Sequence, residues 1–560
     1  MNWRYKFCLT VIVFAFILVV LKLFYWQVVK AGELSSLGDL QYGTNIKILP
    51  KRGEIKTSDG FPIATNKVSY LVFANPKEIK NKEATAQVLA SILSADIASV
   101  SSSLSLDRMW VPIKSKVDIE TKQKLEKLGL NGVGFTEQYT RFYPEGSMAA
   151  TLLGFVGKDS DGNDKGYFGL EGFYDRLLKG EGGTAKTVTD ALGRPILAKL
   201  DQSSGKIDGR SIILSIDRSI QFLVEKKLKQ GIEKYGASSG MIGIMDPKTG
   251  QMLALASFPS FDPSYYFEYP LETYKNPFIS DLYEPGSTFK PLVMSSALDA
   301  KVVLPTTKCN ICSGPISIGG YDIHTWNDKY RKNINMIETI QHSDNTAMVF
   351  VAQKLGLDRM LSYLGKFGIG DTTGIDLQGE VYAPFKDKSK WYEVDLATIG
   401  FGQGISITPI ELLTAIGAIA NEGKKMEPHV VVAVENNEGE FVKIEPKVVD
   451  TPISAQTAKI MAEIMVNAVN KGEASWARVV GYRIAGKTGT ASIPIAGHYD
   501  PNQTIASFVG FAPSNEAKFV MVVIINRPTT SIYGAETAAP IFFDISKSLL
   551  NYYGIPPSGQ

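Results

Sequence analysis

The chain opens on an apolar run. Residues 7–21, FCLTVIVFAFILVVL, carry no charge, and after Lys22 the run resumes through 23–29, LFYWQVV. The unbroken stretch falls short of the ~20 residues that a membrane-spanning helix needs. Counted through Val29 it suffices, with the Lys22 ammonium reaching the outer interface. Tyr25 and Trp26 suit an interfacial belt, and Arg4 and Lys6 ahead of the run favour a cytoplasmic N-terminus. A cleaved leader would be followed by a small-residue site, and Lys30-Ala31-Gly32-Glu33 is a poor one. The pattern predicts a tail at 1–6, an uncleaved single-pass anchor at 7–29 and an extracytoplasmic remainder.

The hydrophobic pattern then becomes that of folded domains. Over 30–210, turn signals at 50–53 and 58–60 bracket short strands, and helix-period patterns occupy 83–105 and 118–128. Glycines punctuate 162–183, and the polar stretch 202–209, QSSGKIDG, reads as a linker. From 211 to 555 the grain changes. A strand is expected at 211–216, a helix at 220–235 and a hairpin of 241–245 with 252–256 across the turn DPKTG. A second hairpin, 504–511 with 519–526, precedes a closing helix at 540–552. Strands at both ends with helices between predict an α+β, mixed α/β fold: an antiparallel sheet covered by helices.

Composition narrows the function. The 560 residues are enough for two to four domains. Lys and Arg number 59 against 57 Asp and Glu, so the net charge of +2 argues against a nucleic-acid binder. With 3 Cys and 4 His, a metal cluster or iron–sulfur centre is not expected, and no cofactor is called for.

Three short motifs carry candidate chemistry. Ser287-Thr288-Phe289-Lys290 follows Pro285-Gly286 and opens a helical pattern in which Pro291 is tolerable, because first-turn N–H groups lack intrahelical partners. Ser287 is thus placed at a helix N-terminus, with Lys290 on the same face. A neutral Lys290 can take the hydroxyl proton. Ser343-Asp344-Asn345 separates helical patterns at 335–341 and 346–355; on that loop Ser343 can relay a proton and Asn345 can hold a substrate amide. Lys487-Thr488-Gly489-Thr490 sits on a strand before the second hairpin, where a substrate can add like an extra strand and Lys487 and Thr488 can bind a carboxylate.

Each motif alone has an ordinary reading as a helix cap or a turn. Ser203-Ser204-Gly205-Lys206 and Lys248-Thr249-Gly250 repeat the first and third by chance. Gly236-Ala237-Ser238-Ser239-Gly240 matches a nucleophile elbow but has a helix before it and a strand after, the wrong order. What decides is the ordered set, each member in its proper context: the triad of β-lactamases and penicillin-binding proteins.

With these motifs the chain resembles a class B penicillin-binding protein, a membrane-anchored peptidoglycan transpeptidase. The resemblance extends over Arg52-Gly53-Glu54, Arg141-Phe142-Tyr143-Pro144, Gly169-Leu170-Glu171, Phe401-Gly402-Gln403-Gly404, Thr408-Pro409 and Ala538-Ala539-Pro540. It implies a pedestal at 30–210 and a transpeptidase domain of the penicillin-binding/β-lactamase type at 211–555. Glu284-Pro285-Gly286 and the segment 508–513 lean to the division-specific branch, with the elongation-specific branch as the alternative.

The resemblance also implies roles. Ser287 attacks the carbonyl between the terminal D-alanines of a stem peptide, and Lys290, made neutral by burial and by Lys487, is the base. Ser343 links the two lysines. The N–H groups of Ser287 and Thr490 form the oxyanion hole, and Thr488 and Thr490 hold the substrate carboxylate. β-Lactams acylate Ser287. Implied partners are a glycan polymerase of the SEDS family and other divisome proteins. A β-lactamase or β-lactam sensor, or a catalytically silent division scaffold, are the other readings of this fold. Cys309 and Cys312, outside the cytoplasm, are expected to form a local disulfide.

Overall fold

The computed structural model describes residues 2–34, 43–189, 195–196, 203–436, 438–495 and 498–557. Helix α1 (Trp3–Phe24) runs on into a π-helical turn, Tyr25–Val29, and none of its side chains is buried. These 27 residues span about 40 Å at 1.5 Å per residue, against a hydrocarbon core of about 30 Å. Among the described residues this is the one helix long and apolar enough to cross a membrane. It starts at Trp3, ahead of the apolar run, so Arg4 and Lys6 lie on its first turn rather than in a separate tail. Both are good helix formers, and helicity does not stop where apolarity does.

The rest of the chain is interleaved between two compact units. One holds 66–140 and 179–209 together with the first 52 residues; the other holds 53–65, 141–178 and 210–560. In the first, strands β1 (Pro62–Ala74) and β2 (Val111–Val117) pair antiparallel. Against them pack α2 (Lys82–Leu93), α3 (Ile97–Ser105) and α4 (Ile119–Lys127). Val72, Leu89, Leu93, Val100, Leu104 and Leu125 form the core of this unit. The continuous helical pattern expected over 83–105 is two helices. Ser94 takes a left-handed conformation at φ 49°, and the Asp96 side chain accepts from Ser99 N to start α3. Of the expected linker at 202–209, Gln202 lies outside the described residues and the rest is tied down. Ser203–Ser204 pairs with the strand Gly183–Thr189, and Glu181 and Ile207 exchange backbone hydrogen bonds.

The second unit is built on five antiparallel strands. β3 (Ser239–Met245), β4 (Met252–Phe258), β5 (Ala485–Ile495), β6 (His498–Ala512) and β7 (Phe519–Asn526) lie in the order β4-β3-β7-β6-β5. β7, FVMVVIIN, is apolar through Ile525 because both its faces are covered. Phe519, Met521, Val523 and Ile525 join α5 (Arg218–Tyr235) and α11 (Ala538–Tyr552) in one core. Val520, Val522 and Ile524 face the larger helical core on the other side. α5 is delimited as its sequence dictates: Asp217 caps Ser219 N and Ile220 N, and Gly236 closes the helix at φ 59°.

The helical side holds α6 (Lys290–Asp299), α7 (Met336–Gln341), α8 (Asn345–Leu355), α9 (Pro409–Ala420) and α10 (Ala455–Lys471). α9 is buried from Pro409 to Ile419; Thr408 and Glu411 form its capping box and Pro409 occupies its first turn. Cys309 and Cys312 form the expected disulfide, with both residues buried.

One ion pair in this unit is fully enclosed. Arg141 Nε donates to Glu171 Oε1 at 2.6 Å, with side-chain exposures of 4% and 0%, and Arg141 Nη1 donates to Gly53 O at 2.7 Å. Removing one partner leaves a buried, uncompensated charge. Glu171→Ala is therefore expected to cost about 3–5 kcal/mol, read as a lowered urea midpoint of the full-length protein.

Candidate active site

The site forms where three loops meet the edge strand β5. Pro285-Gly286 ends the incoming segment, and a 3₁₀ turn, Gly286–Phe289, leads into α6 at Lys290. Ser287, expected at the start of the α-helix, thus sits on a tighter turn, three residues ahead of the α-helical start at Lys290. A neighbouring loop clamps it. Gly286 N donates to Gly402 O at 2.9 Å, and Tyr283 and Ile407 exchange backbone hydrogen bonds. Gly402 (φ +81°) has no room for a side chain, since a Cβ there would stand 2.1 Å from Gly286 O. Within the turn Thr288 Oγ1 donates to Pro285 O at 2.7 Å.

Lys290 is fully buried. Its Nζ lies 2.7 Å from Ser343 O, 2.7 Å from Asn345 Oδ1 and 3.3 Å from Ser343 Oγ. The first two oxygens only accept. A neutral amine has two N–H donors for them and keeps one lone pair. Burial, and then the nearby charge of Lys487, push the Lys290 pKa well below its usual value; Asp344 and Glu473 oppose this.

Ser343 reaches this position through a left-handed backbone (φ 56°), which costs a non-glycine residue about 1 kcal/mol. Asp344 next to it accepts from Ala347 N and Thr346 Oγ1 and caps α8. Asn345 is the first residue of α8 rather than part of the loop, because Asp344 takes the cap. Its Nδ2 donates to His324 O at 3.0 Å, which fixes Oδ1 toward Lys290.

On β5, Lys487 is 3% exposed and Thr488 8%. Lys487 Nζ donates to Thr488 O and Thr488 Oγ1 at 3.1 and 3.0 Å. Burial lowers its pKa, and Glu473 opposes the shift. Among the described residues the Ser343 hydroxyl is hydrogen-bonded to Lys290 and not to Lys487, and Lys487 Nζ is turned to Thr488 instead. Gly489 lets the strand meet the serine turn, since a Cβ there would lie 2.8 Å from Thr288 Cγ2. Thr490 Oγ1 accepts from Gly534 N at 3.0 Å, and a Cβ on Gly534 would stand 2.1 Å from Gly489 O. Among the described residues no group of three His, Cys, Asp or Glu side chains is placed to hold a metal ion.

The chain is similar to known proteins. The model of the penicillin-binding protein transpeptidase domain matches residues 240–547, and that of the penicillin-binding protein dimerisation domain matches 47–214. Stage V sporulation protein D of Bacillus subtilis is 33% identical over 99% of this chain and 86% of its own length. The chain belongs to the class B penicillin-binding proteins. Peptidoglycan D,D-transpeptidase FtsI of Escherichia coli is 28% identical, with 99% and 93% covered. A peptidoglycan synthetase from Bifidobacterium adolescentis superposes with a TM-score of 0.74 at 25% identity, over 92% of this chain and 98% of that one.

In this penicillin-binding protein the motif residues Ser287, Lys290, Ser343, Asn345, Lys487, Thr488, Gly489 and Thr490 lie on three segments of one unit. The sequence did not point to Glu473, whose Oε2 accepts from Thr488 Oγ1 at 3.1 Å, to the His324 carbonyl, or to Gly534. A lone acidic residue in an irregular segment and a backbone carbonyl leave no spacing pattern. Gly534 is signalled only by its glycine identity.

Proposed function

We propose that this class B penicillin-binding protein cross-links stem peptides in septal wall synthesis, held by a single anchor with its N-terminus in the cytoplasm. In this reading residues 30–210 are a pedestal and 211–555 the transpeptidase domain. The observation that carries it is the buried Lys290 amine, whose Nζ stands within hydrogen-bond distance of Ser343 O, Asn345 Oδ1 and Ser343 Oγ; in its neutral form it keeps a lone pair for the serine proton. Lys290 takes the proton as Ser287 Oγ attacks the carbonyl between the terminal D-alanines. The C–N bond breaks, the proton passes through Ser343 to the leaving amine, and D-alanine departs from an acyl-enzyme. An acceptor amine then attacks the ester, gives up its proton to Lys290 and forms the cross-link, and Ser287 regains its proton. The N–H groups of Ser287 and Thr490 hold the oxyanion. Lys487 attracts the terminal carboxylate, which Thr490 holds. A β-lactam enters as a mimic of the D-Ala-D-Ala end and acylates Ser287.

Support for the septal assignment comes from the relative named FtsI and from Glu284-Pro285-Gly286. The implied partners are a SEDS-family glycan polymerase and other divisome proteins, met through the anchor and pedestal. A second reading, a spore-envelope transpeptidase, is favoured by the 33% identity to stage V sporulation protein D. Full-length protein in detergent, given lipid-linked pentapeptide disaccharide and a glycan polymerase, is expected to release D-alanine and form cross-linked dimers in equal amounts. Release without dimers would mark a hydrolase and end the transpeptidase reading. Depletion in growing cells is expected to give filaments without septa; rounded cells would assign it to elongation, and normal growth with defective spores to the second reading.

A further inference from the structure

Glu473 lies between α10 and β5, behind the strand that carries Lys487 and Thr488. Its Oε2 accepts the Thr488 hydroxyl, and Thr488 Oγ1 in turn accepts from Lys487 Nζ. Its Oε1 is buried and has no partner among the described residues. Glu473 lines a small cavity with Gln341, Gly486, Lys487, Thr488 and Phe508. No step of acyl transfer uses this carboxylate. Enclosing a carboxylate oxygen without a hydrogen bond is costly unless the group answers a charge. The charge at hand is Lys487, itself removed from solvent.

We propose that Glu473 is a positioning residue of the active site, holding the Thr488 hydroxyl and supplying the countercharge that keeps Lys487 an ammonium. The inference rests on the acyl-transfer reading above. It has a consequence for substrate recognition. An ionised carboxylate only accepts, so the Thr488 proton points at Glu473 and a Thr488 lone pair at Lys487. Thr490 accepts from Gly534 N and keeps its own proton to donate. The substrate carboxylate is therefore held by Thr490 and by the Lys487 charge, with Thr488 as the link that fixes Lys487.

The other titratable groups that face this cluster are Lys290 on α6, His342 at the end of α7 and Asp344 at the start of α8. Glu473 favours the charged form of Lys487, Lys290 and His342 alike. Without its charge, Lys290 becomes a neutral base at lower pH, and Lys487 loses its proton at lower pH. Both limbs of a bell-shaped acylation profile then move the same way, toward acid.

The test is the rate of acylation of the full-length protein by a fluorescent penicillin, from about pH 5 to about pH 10. E473Q and the uncharged E473M are expected to displace both limbs to lower pH, and the rate on the alkaline limb to fall about tenfold per unit of displacement. E473D, which keeps the charge, is expected to return the profile to its wild-type position. Uniform scaling without displacement would overturn the proposal. So would an E473D profile matching E473Q, or loss of the folded state in both neutral variants, which would make the carboxylate structural. A wild-type protein that fails to acylate at every pH would instead defeat the acyl-transfer reading, an outcome distinct from an undisplaced E473Q.

Discussion

Ser287→Ala is expected to abolish covalent labelling by a fluorescent penicillin and to lower transpeptidation by about 10⁴-fold or more. The size follows from chemistry. Without the hydroxyl no acyl-enzyme forms, and the remaining donors can only bind and polarise the peptide. The protein itself should be nearly unchanged. Ser287 is half-buried, and among the described residues its hydroxyl makes no hydrogen bond, so the substitution removes no polar contact. Its stability is expected to move by no more than about 0.5 kcal/mol. Loss of label with an unmoved unfolding midpoint is therefore the predicted pair of results. Label retained in the variant would place the nucleophile elsewhere. Ser238 is a poor candidate, because its Oγ donates to Asn526 O in a helix-to-strand turn. Rapid turnover of the wild-type label would favour a β-lactamase.

The site was legible in the sequence because its chemistry is concentrated in contiguous motifs whose local structure is also written locally. Pro285-Gly286 announces a stop before Ser287. Asp344 announces a cap for α8, and an unbroken apolar run after the turn Pro513-Ser514-Asn515 marks β7 beside the hairpin that carries Lys487. Chance copies were separable on the same grounds: Lys248-Thr249-Gly250 is a turn, with Gly250 at φ 82° and Lys248 paired to exposed Glu516. What escaped was set by tertiary contact. The helical period over 83–105 does not register the single left-handed residue Ser94 that breaks it. The polarity of 202–209 reads as a linker, whereas Gly183–Thr189 pairs with Ser203–Ser204, Glu181 bonds Ile207, and Gly209 N donates to Lys51 O. The expected bridge from Ser343 to Lys487 is not made among the described residues: Lys487 Nζ donates to Thr488 O and Oγ1, and the Thr488 hydroxyl is held by Glu473, a residue with no motif around it.

Lys290→Arg is expected to lower the acylation rate by about 10²–10⁴-fold across the neutral range, because guanidinium stays protonated throughout. In the wild type the base must be neutral. A lysine in water holds its proton to about pH 10.4, but burial and the Lys487 charge carry the Lys290 pKa well below that. The sign follows. Acylation rises with pH as Lys290 loses its proton, and Lys290 defines the acid limb of the profile. Two short hydrogen bonds, to Ser343 O and Asn345 Oδ1, use the two donors of a neutral amine and direct its remaining lone pair. An arginine offers no lone pair at any accessible pH. Its profile is expected to lose the acid limb altogether, leaving a low, flat residual rate up to the alkaline fall set by Lys487. Lys290→Met separates base from bulk: it keeps the length of the side chain without a titrating group, and should show the same flat residual. If the acid limb survives in the residual activity of both variants, another group titrates there, and Lys290 is a structural donor to Ser343 and Asn345 rather than the base.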